Sequence, residues 1–209
     1  MLKKLGIIKD DKSQKAYEVF NMIGVASDFL SNTMEPKEYV VKCWDEYKRL
    51  PIPRNNALNG KVFEFIIASL LIKEKILPLF FQATAAFVPN VVYDAVVYSL
   101  ECGPISISVK TSLRERYKQA DLEAIALKYV HRKAKCFLLT NNEGEAKNVK
   151  KKILTGAVIG IDKVIIANSD DINEFVEELK KYKLEKPHKV DVLKAGAIIT
   201  SQTIKKASR

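Results

Sequence analysis

The chain has 209 residues, of which 47% are hydrophobic, and a formal net charge of +10. This length and apolar content can build one well-packed domain, which argues against extensive disorder. The excess positive charge indicates a polyanionic partner, with nucleic acid favoured over an anionic membrane surface. The alternative is a basic protein that binds no polyanion. The longest apolar run, 65–72, is too short to span a bilayer, so we expect no membrane segment.

The cysteines and histidines show no metal-binding or disulfide pattern. Cys43, Cys102 and Cys136 lie far apart and form no CxxC pair, and the two histidines stand alone. This spacing argues against a zinc site and a disulfide framework. Reduced thiols are typical of the cytoplasm, and residues 1–15 lack the apolar region of a signal peptide. We therefore expect a cytoplasmic protein.

Helical periodicity in the first third of the chain predicts three helices, at 13–31, 35–49 and about 57–75. Two prolines within 50–56 separate the second helix from the third. The third helix is mostly apolar, which predicts burial. Glu64 is its exception, because an ionised carboxylate in an apolar helix is costly unless it is paired, protonated or near a metal. An ordinary ion pair with a lysine or arginine is the alternative.

Strand-like runs begin after the third helix. Three of them, at 76–87, 91–100 and 103–111, are joined by links short enough for antiparallel hairpins. After them the pattern alternates between helix and strand. The predicted elements are a helix at 113–131, a strand at 135–140, a helix at 143–154, a strand at 162–168 and a helix at 170–183.

This order predicts an α/β fold with a mixed central β-sheet flanked by helices, because an antiparallel three-stranded unit is extended through a crossover helix. We divide the expected single domain, 1–209, into three parts. These are an N-terminal helical extension (1–55), a core (56–170) and a C-terminal helix with a basic tail (171–209). In the tail, the alternative strands at 190–193 and 197–200 remain open.

Acidic residues and one lysine are predicted to gather at one end of this sheet. Asp94 lies in the second strand and Lys110 ends the third, so a hairpin brings both to the same end. Glu123, on the next helix, and Glu64 can reach the same place. Such carboxylates hold Mg²⁺, the metal lowers the pKa of bound water, and the lysine orients that water. Ordinary ion pairs are the alternative.

The same residues resemble the PD-(D/E)xK nuclease motif. Asp94 is followed at the end of an apolar strand by Ser-Val-Lys ending at Lys110, with Tyr93 in place of the proline and Ser108 in place of the second acid. One branch of the type II restriction endonucleases carries that acid on the following helix. The branch includes EcoRII-like, PspGI-like and NgoMIV-like enzymes that cut CC/GG-containing targets. Glu123, thirteen residues after Lys110, matches its moved acid.

This resemblance implies a restriction-endonuclease-like core that hydrolyses double-stranded DNA at a short palindrome and leaves 5′-phosphate ends. It implies Mg²⁺ as the cofactor, no small-molecule cofactor and a homodimer, since a two-fold target matches a two-fold protein. Asp94, Glu123 and the Val109 carbonyl are the implied metal ligands. Lys110 is the implied water-activating residue, and Glu64 an additional acid.

The triplet Arg114-Glu115-Arg116 lies in the register of the base-reading triplet of that branch. Arginine donates to O6 and N7 of guanine, and glutamate accepts from N4 of cytosine, so the triplet predicts adjacent G·C pairs in the target. Lys118 and Gln119 are predicted to contact the DNA backbone. The alternative for the triplet is an exposed, charged helix start with an internal ion pair.

Two other functions remain open. A structure-specific nuclease, such as a Holliday-junction resolvase, would share the metal site but would not need a base-reading triplet. A non-catalytic DNA-binding protein is favoured by Ser108, which stands where an acid is expected. A basic domain that binds membrane surfaces is disfavoured by the apolar core.

Overall fold

The structure, a computed structural model, describes residues 1–8, 11–187 and 193–208. Within these ranges the chain forms helices and strands that alternate from β3 onward. In chain order they are α1 (Asp11–Asn21), α2 (Gly24–Ser27), α3 (Pro36–Arg49), α4 (Asn56–Lys73), β1 (Leu79–Ala85), β2 (Tyr93–Ser99), β3 (Gly103–Val109), α5 (Arg116–Val130), β4 (Lys135–Thr140), α6 (Glu143–Leu154), β5 (Lys163–Ile166), α7 (Asp171–Lys180), β6 (Leu193–Ile199) and α8 (Ser201–Ala207).

The strands of the described residues form one mixed sheet in the order β5-β4-β3-β2-β1-β6. β2 pairs antiparallel with β1 and with β3, whereas β3, β4 and β5 are parallel. The predicted α/β fold is therefore confirmed, with two hairpins followed by a crossover through α5. In the tail, the strand is β6, which pairs antiparallel with β1 and includes most of 197–200. The rival strand at 190–193 falls largely outside the described residues.

Helices cover both faces of the sheet. The larger core lies between one face and helices α1, α3, α4 and α7, and the smaller core lies between the other face and α5 and α6. Helix α4 is buried on every side because it lies between the sheet and α1 and α3. Each of its fully buried large apolar side chains contributes about 1.5–3 kcal/mol to folding. Helix α4 is thereby a rigid base for any side chain that it presents to the end of the sheet.

The predicted single helix at 13–31 is wrong. Helix α1 ends at Asn21, Ile23 is extended with φ −82° and ψ 105°, and α2 begins at Gly24. The break has a tertiary cause, because the Ile23 side chain is fully buried and the amide of Val25 donates to the Glu46 carboxylate at 3.2 Å. The contact with α3 thus outweighs the local helical periodicity.

Helix α5 begins three residues later than predicted, at Arg116 instead of 113. The side of this helix that faces the sheet is buried at Ala120, Ala124 and Leu127. Leu113 is also buried, but it lies in the loop before the helix. No helix in the described part of the chain is long and apolar enough to cross a membrane. The division of the domain at 55 and 170 stays a prediction.

Candidate active site

The ends of β2 and β3 bring Asp94 and Lys110 together. Asp94 is the second residue of β2, and Lys110 directly follows β3, its amide donating to Leu139 at 2.9 Å. The Lys110 ammonium and the amide of Val109 both donate to Oδ2 of Asp94, each at 2.8 Å. The side chains of Lys110 and Asp94 are only 15% and 12% exposed. The carboxylate is therefore held at the strand end by one charged and one main-chain donor.

Glu64 reaches this place from α4. Its carboxylate accepts from Lys61 at 2.8 Å and from Gln82 at 3.3 Å. Burial raises the pKa of Glu64, and the charge of Asp94 raises it further, whereas Lys61 and Lys110 act in the opposite direction. These mutual influences place Glu64 within electrostatic range of the Asp94–Lys110 pair, and they make its ionised form costly.

Glu123 approaches from α5 on the other side of the sheet. Its Oε1 accepts from Gln119 at 2.8 Å. Burial raises its pKa most, and Asp94 also raises it, while Gln119 and Lys110 lower it. The hydroxyl of Tyr93 donates to the main-chain carbonyl of Glu123 at 3.0 Å. The residue before Asp94 thus fastens the turn of α5 that carries Glu123.

Lys110 lies among these three acids. Burial alone would lower its pKa, but Asp94 first, and then Glu64 and Glu123, hold the pKa above its ordinary value. The lysine is therefore a cation at neutral pH. In that state it can donate a hydrogen bond and offset negative charge.

The donor chemistry of the cluster fits a hard divalent cation. Carboxylate oxygens are the ligands that Mg²⁺ prefers, and burial is the main reason that the pKa values of Glu64 and Glu123 are raised, with a further contribution from the charge of Asp94. In the described part of the chain, no three His, Cys, Asp or Glu side chains stand close enough to one another to hold a metal ion. Lys110 is bonded to the Asp94 carboxylate and Gln119 to the Glu123 carboxylate, and a bound cation would take the oxygens that accept these bonds.

The triplet lies just before and at the start of α5, and its three side chains are exposed. The contact between Arg114 and Glu145 is long, at 3.8 Å, whereas Glu115 forms an ion pair with Lys118 at 2.5 Å. Exposed pairs of this kind contribute little to stability, so both arginines are free to make other contacts. Of the two predicted backbone contacts, Lys118 bonds to the triplet itself.

The preceding loop is fastened by α6. Glu145 accepts from the hydroxyl of Ser112 at 3.2 Å and from the amide of Leu113 at 2.5 Å. These bonds fix the chain between Lys110 and the triplet. The cluster and the triplet are therefore joined by a short, anchored segment rather than by a free loop.

Several site residues were missed by sequence reasoning. Lys61, three residues before Glu64, carried a usable signal, because such a pair lies on one helix face. Gln82 reaches Glu64 because its backbone is left-handed inside β1, with φ +50°, and nothing in the sequence predicts that. Glu145 gave no signal, since its contact depends on how α6 lies against the loop.

Comparison with known proteins connects this geometry to one fold. A solved structure described as "Restriction endonuclease PspGI-substrate DNA complex" matches with a TM-score of 0.52. The match covers 80% of this chain and 80% of that chain, at 16% sequence identity. No family model and no curated protein matches the sequence. The chain thus has a restriction-endonuclease-like fold, as predicted.

Proposed function

We propose that this protein is a Mg²⁺-dependent DNA endonuclease of the type II restriction class. The observation that carries the proposal is the Asp94–Lys110 pair at the strand ends, with Glu64 and Glu123 within electrostatic range. The fold is that of a restriction endonuclease solved with its substrate DNA, which supports the proposal. The net charge of +10 suits a polyanionic substrate.

In the proposed reaction, a water oxygen forms a bond to the scissile phosphorus as the bond to the 3′ oxygen breaks. The attacking water gives up a proton to solvent and the 3′ oxygen takes one up, which leaves a 5′-phosphate and a 3′-hydroxyl. Bound Mg²⁺ would supply a water of lowered pKa and neutralise phosphate charge. Asp94, Glu123 and the Val109 carbonyl are its proposed ligands. Lys110 would orient the water and offset transition-state charge, which requires the cationic state that its surroundings favour. Glu64 is the proposed additional acid.

Arg114, Glu115 and Arg116 are proposed to read adjacent G·C pairs in the major groove, with Lys118 and Gln119 near the backbone. Their exposure and their weak internal pairing support this role, because little has to be broken before DNA is bound. We propose that two copies act as a homodimer on a short palindrome, since each copy offers one cluster and a duplex has two strands.

The test is cleavage of plasmid DNA in Mg²⁺ by the wild type and by two variants, Lys110→Ala and Glu123→Ala. We expect both variants to lose cleavage while DNA binding in Ca²⁺ is retained. Matched controls are Lys42→Ala and Glu38→Ala, because these residues form an exposed ion pair on α3 and have no contact with the proposed site residues among the described bonds. Undiminished cutting by Lys110→Ala or Glu123→Ala would refute the assignment.

The same digestion separates the alternatives. Discrete fragments indicate sequence specificity, whereas preference for a four-way junction indicates a structure-specific nuclease. The non-catalytic alternative has one specific observation in its favour: Ser108, which stands in place of the acid, lies 3.5 Å from Asp94. The non-catalytic alternative requires that no divalent metal elicits cleavage by the wild type at any DNA sequence.

A further inference from the structure

Helix α5 has a second apolar face, opposite the one that packs on the sheet. The buried stripe consists largely of alanines, whereas Leu122 and Tyr129, two turns apart on the outward side, are 67% and 86% exposed. Ile125 lies between them and is half-buried. A helix that is apolar on both sides is normally covered on both sides. The residues that the structure describes leave the outward side of α5 exposed.

The loop after α6 extends this apolar face. Ile159, which is 68% exposed, precedes Gly160, whose amide donates to Asp121 at 2.6 Å. A Cβ at Gly160 would collide with the main chain of Asp121 and Ile125, so glycine permits the loop to press directly on α5. A shallow groove of about 400 Å³ results, and it is lined by Ile125, Lys128, Tyr129, Arg132, Ile159 and Gly160.

The size of this surface indicates a protein partner. Taking roughly 200 Å² for a large side chain, the side chains of Leu122, Tyr129 and Ile159 expose on the order of 400 Å². Contiguous apolar patches of this size mark interaction sites in soluble proteins. The three residues carry no charge, so they cannot neutralise phosphates as a DNA-binding surface must. The outward side of α5 is polar at Lys118 and Gln119 and apolar at Leu122 and Tyr129, and its C-terminal part is flanked by Lys128 and Arg132.

We infer that this face binds a second copy of the chain, with the two α5 helices side by side, parallel, and related by a two-fold axis along them. We call Leu122, Ile125, Tyr129 and Ile159 the α5 outer face. A stable dimer buries about 800 Å² on each partner, so the face would supply the apolar centre and its surroundings the rim. The inference rests on the proposed function, which requires two copies on one duplex.

The parallel arrangement follows from the position of the triplet. Because Arg114, Glu115 and Arg116 stand at the N-terminal end of α5, parallel helices present both triplets at the same end of the dimer. Packed helices lie about 8–10 Å apart, which is roughly three base-pair steps at about 3.4 Å each. Antiparallel helices would separate the two triplets by about the helix length, roughly 22 Å, and point them in opposite directions.

The dimer is tested by sedimentation velocity without DNA or metal, so its outcome does not depend on nuclease activity. We expect the wild type to sediment at twice 23.6 kDa. The double variant Leu122→Asp/Tyr129→Asp should be a monomer, with a dimer Kd raised at least about 100-fold. Both residues are exposed, so we expect an unchanged far-UV circular dichroism spectrum. Leu100→Asp is the matched control, because Leu100 is 56% exposed in the β2–β3 turn.

A monomeric wild type at tens of micromolar, or a double variant that remains a dimer, overturns the inference. If the double variant fails to fold, Tyr129→Ser alone decides, since its smaller change should still raise the dimer Kd about tenfold. A wild-type dimer that cuts no DNA would overturn the proposed function and leave the interface intact. A monomer that makes double-strand cuts would overturn the interface and leave the proposed nuclease activity intact.

The orientation is tested by disulfide formation in a Cys102→Ser background, because Cys102 is the one partly exposed cysteine in the described residues. Parallel helices bring each position opposite its own copy, so Leu122→Cys should cross-link to itself, and Tyr129→Cys likewise. In a mixture of these two variants, we expect cross-links between identical chains. Predominant cross-linking between the different chains would indicate antiparallel helices and overturn the parallel arrangement.

Discussion

Helices α4 and α5 have a similar pattern of apolar residues but are covered to different extents in the structure. Both carry apolar residues on all sides, and each brings one acid, Glu64 or Glu123, to the end of the sheet. Helix α4 is enclosed by the sheet and by α1 and α3, whereas the outward side of α5, at Leu122 and Tyr129, is left exposed by the residues that the structure describes. An apolar pattern thus predicts that a helix will be covered, but whether the cover lies in the same chain depends on the other elements.

The largest expected effect tests this contrast with one chemical change at two places. Leu70 of α4 is fully buried, and Leu122 of α5 is largely exposed. We expect Leu70→Ala to lower the free energy of unfolding by about 2–5 kcal/mol, because it loses burial and leaves a cavity. Leu122→Ala should change it by less than about 0.5 kcal/mol when urea denaturation is measured at protein concentrations that keep the chain monomeric. An equal loss of unfolding free energy in Leu70→Ala and Leu122→Ala would contradict the difference in burial between the two helices.

The next effect concerns the N-terminal end of α5, which we propose contacts DNA. Arg116→Ala should weaken binding to the target by about 1–3 kcal/mol and leave binding to unrelated DNA nearly unchanged. The measurement is a pair of fluorescence-anisotropy titrations in Ca²⁺ at fixed salt. Arg49→Ala, an exposed arginine at the end of α3, is the control for the loss of one charge. An equal loss for every DNA sequence would mean that Arg116 contacts only phosphates.

A smaller effect is expected where α5 is fastened to β2. Tyr93→Phe removes the hydrogen bond to the Glu123 carbonyl and should lower the free energy of unfolding by about 0.5–1.5 kcal/mol. It should also slow cleavage about tenfold with little change in DNA affinity, because Glu123 is displaced but not removed. Tyr98→Phe, further along β2, is the control. If Tyr93→Phe cleaves DNA as fast as the wild type, Tyr93 does not position α5.

Much of the fold could be predicted because it depends on local patterns and short links. The hairpin between β2 and β3 follows from two strand-like runs with a short turn, and it suffices to bring Lys110 to Asp94. The break at Ile23 could not be predicted in the same way. It depends on the buried side chain and on the contact with Glu46, which is 23 residues further along the chain.

The candidate site divides along the same line. Positions fixed by strand ends and helix spacing could be predicted, whereas the bonds from Gln82 and Glu145 depend on an unusual backbone angle and on helix placement. The outer face of α5 was visible in the sequence as Leu122, Ile125 and Tyr129. Which side of α5 packs on the sheet could not be predicted from the size of the side chains, because the buried side is largely alanine.

The smallest effect concerns the C-terminal end of α4, which has an electrostatic anchor. Glu74 bonds to Lys73 at 2.6 Å and to Lys180 of α7 at 2.9 Å. Burial alone would raise the pKa of Glu74, but these two lysines hold it below its ordinary value of 4.5. Because the folded-state pKa is the lower one, the stabilisation is complete above the ordinary value and is lost as pH falls through the folded value.

Glu74→Gln should therefore reduce the free energy of unfolding at pH 6 by about 1 kcal/mol or less and flatten its decline between about pH 5 and pH 3. Urea denaturation across this range measures both quantities, with Glu38→Gln as the control for a surface carboxylate. If the free energies of unfolding of the wild type and of Glu74→Gln fall in parallel as pH is lowered, the ion pairs of Glu74 do not respond to its protonation.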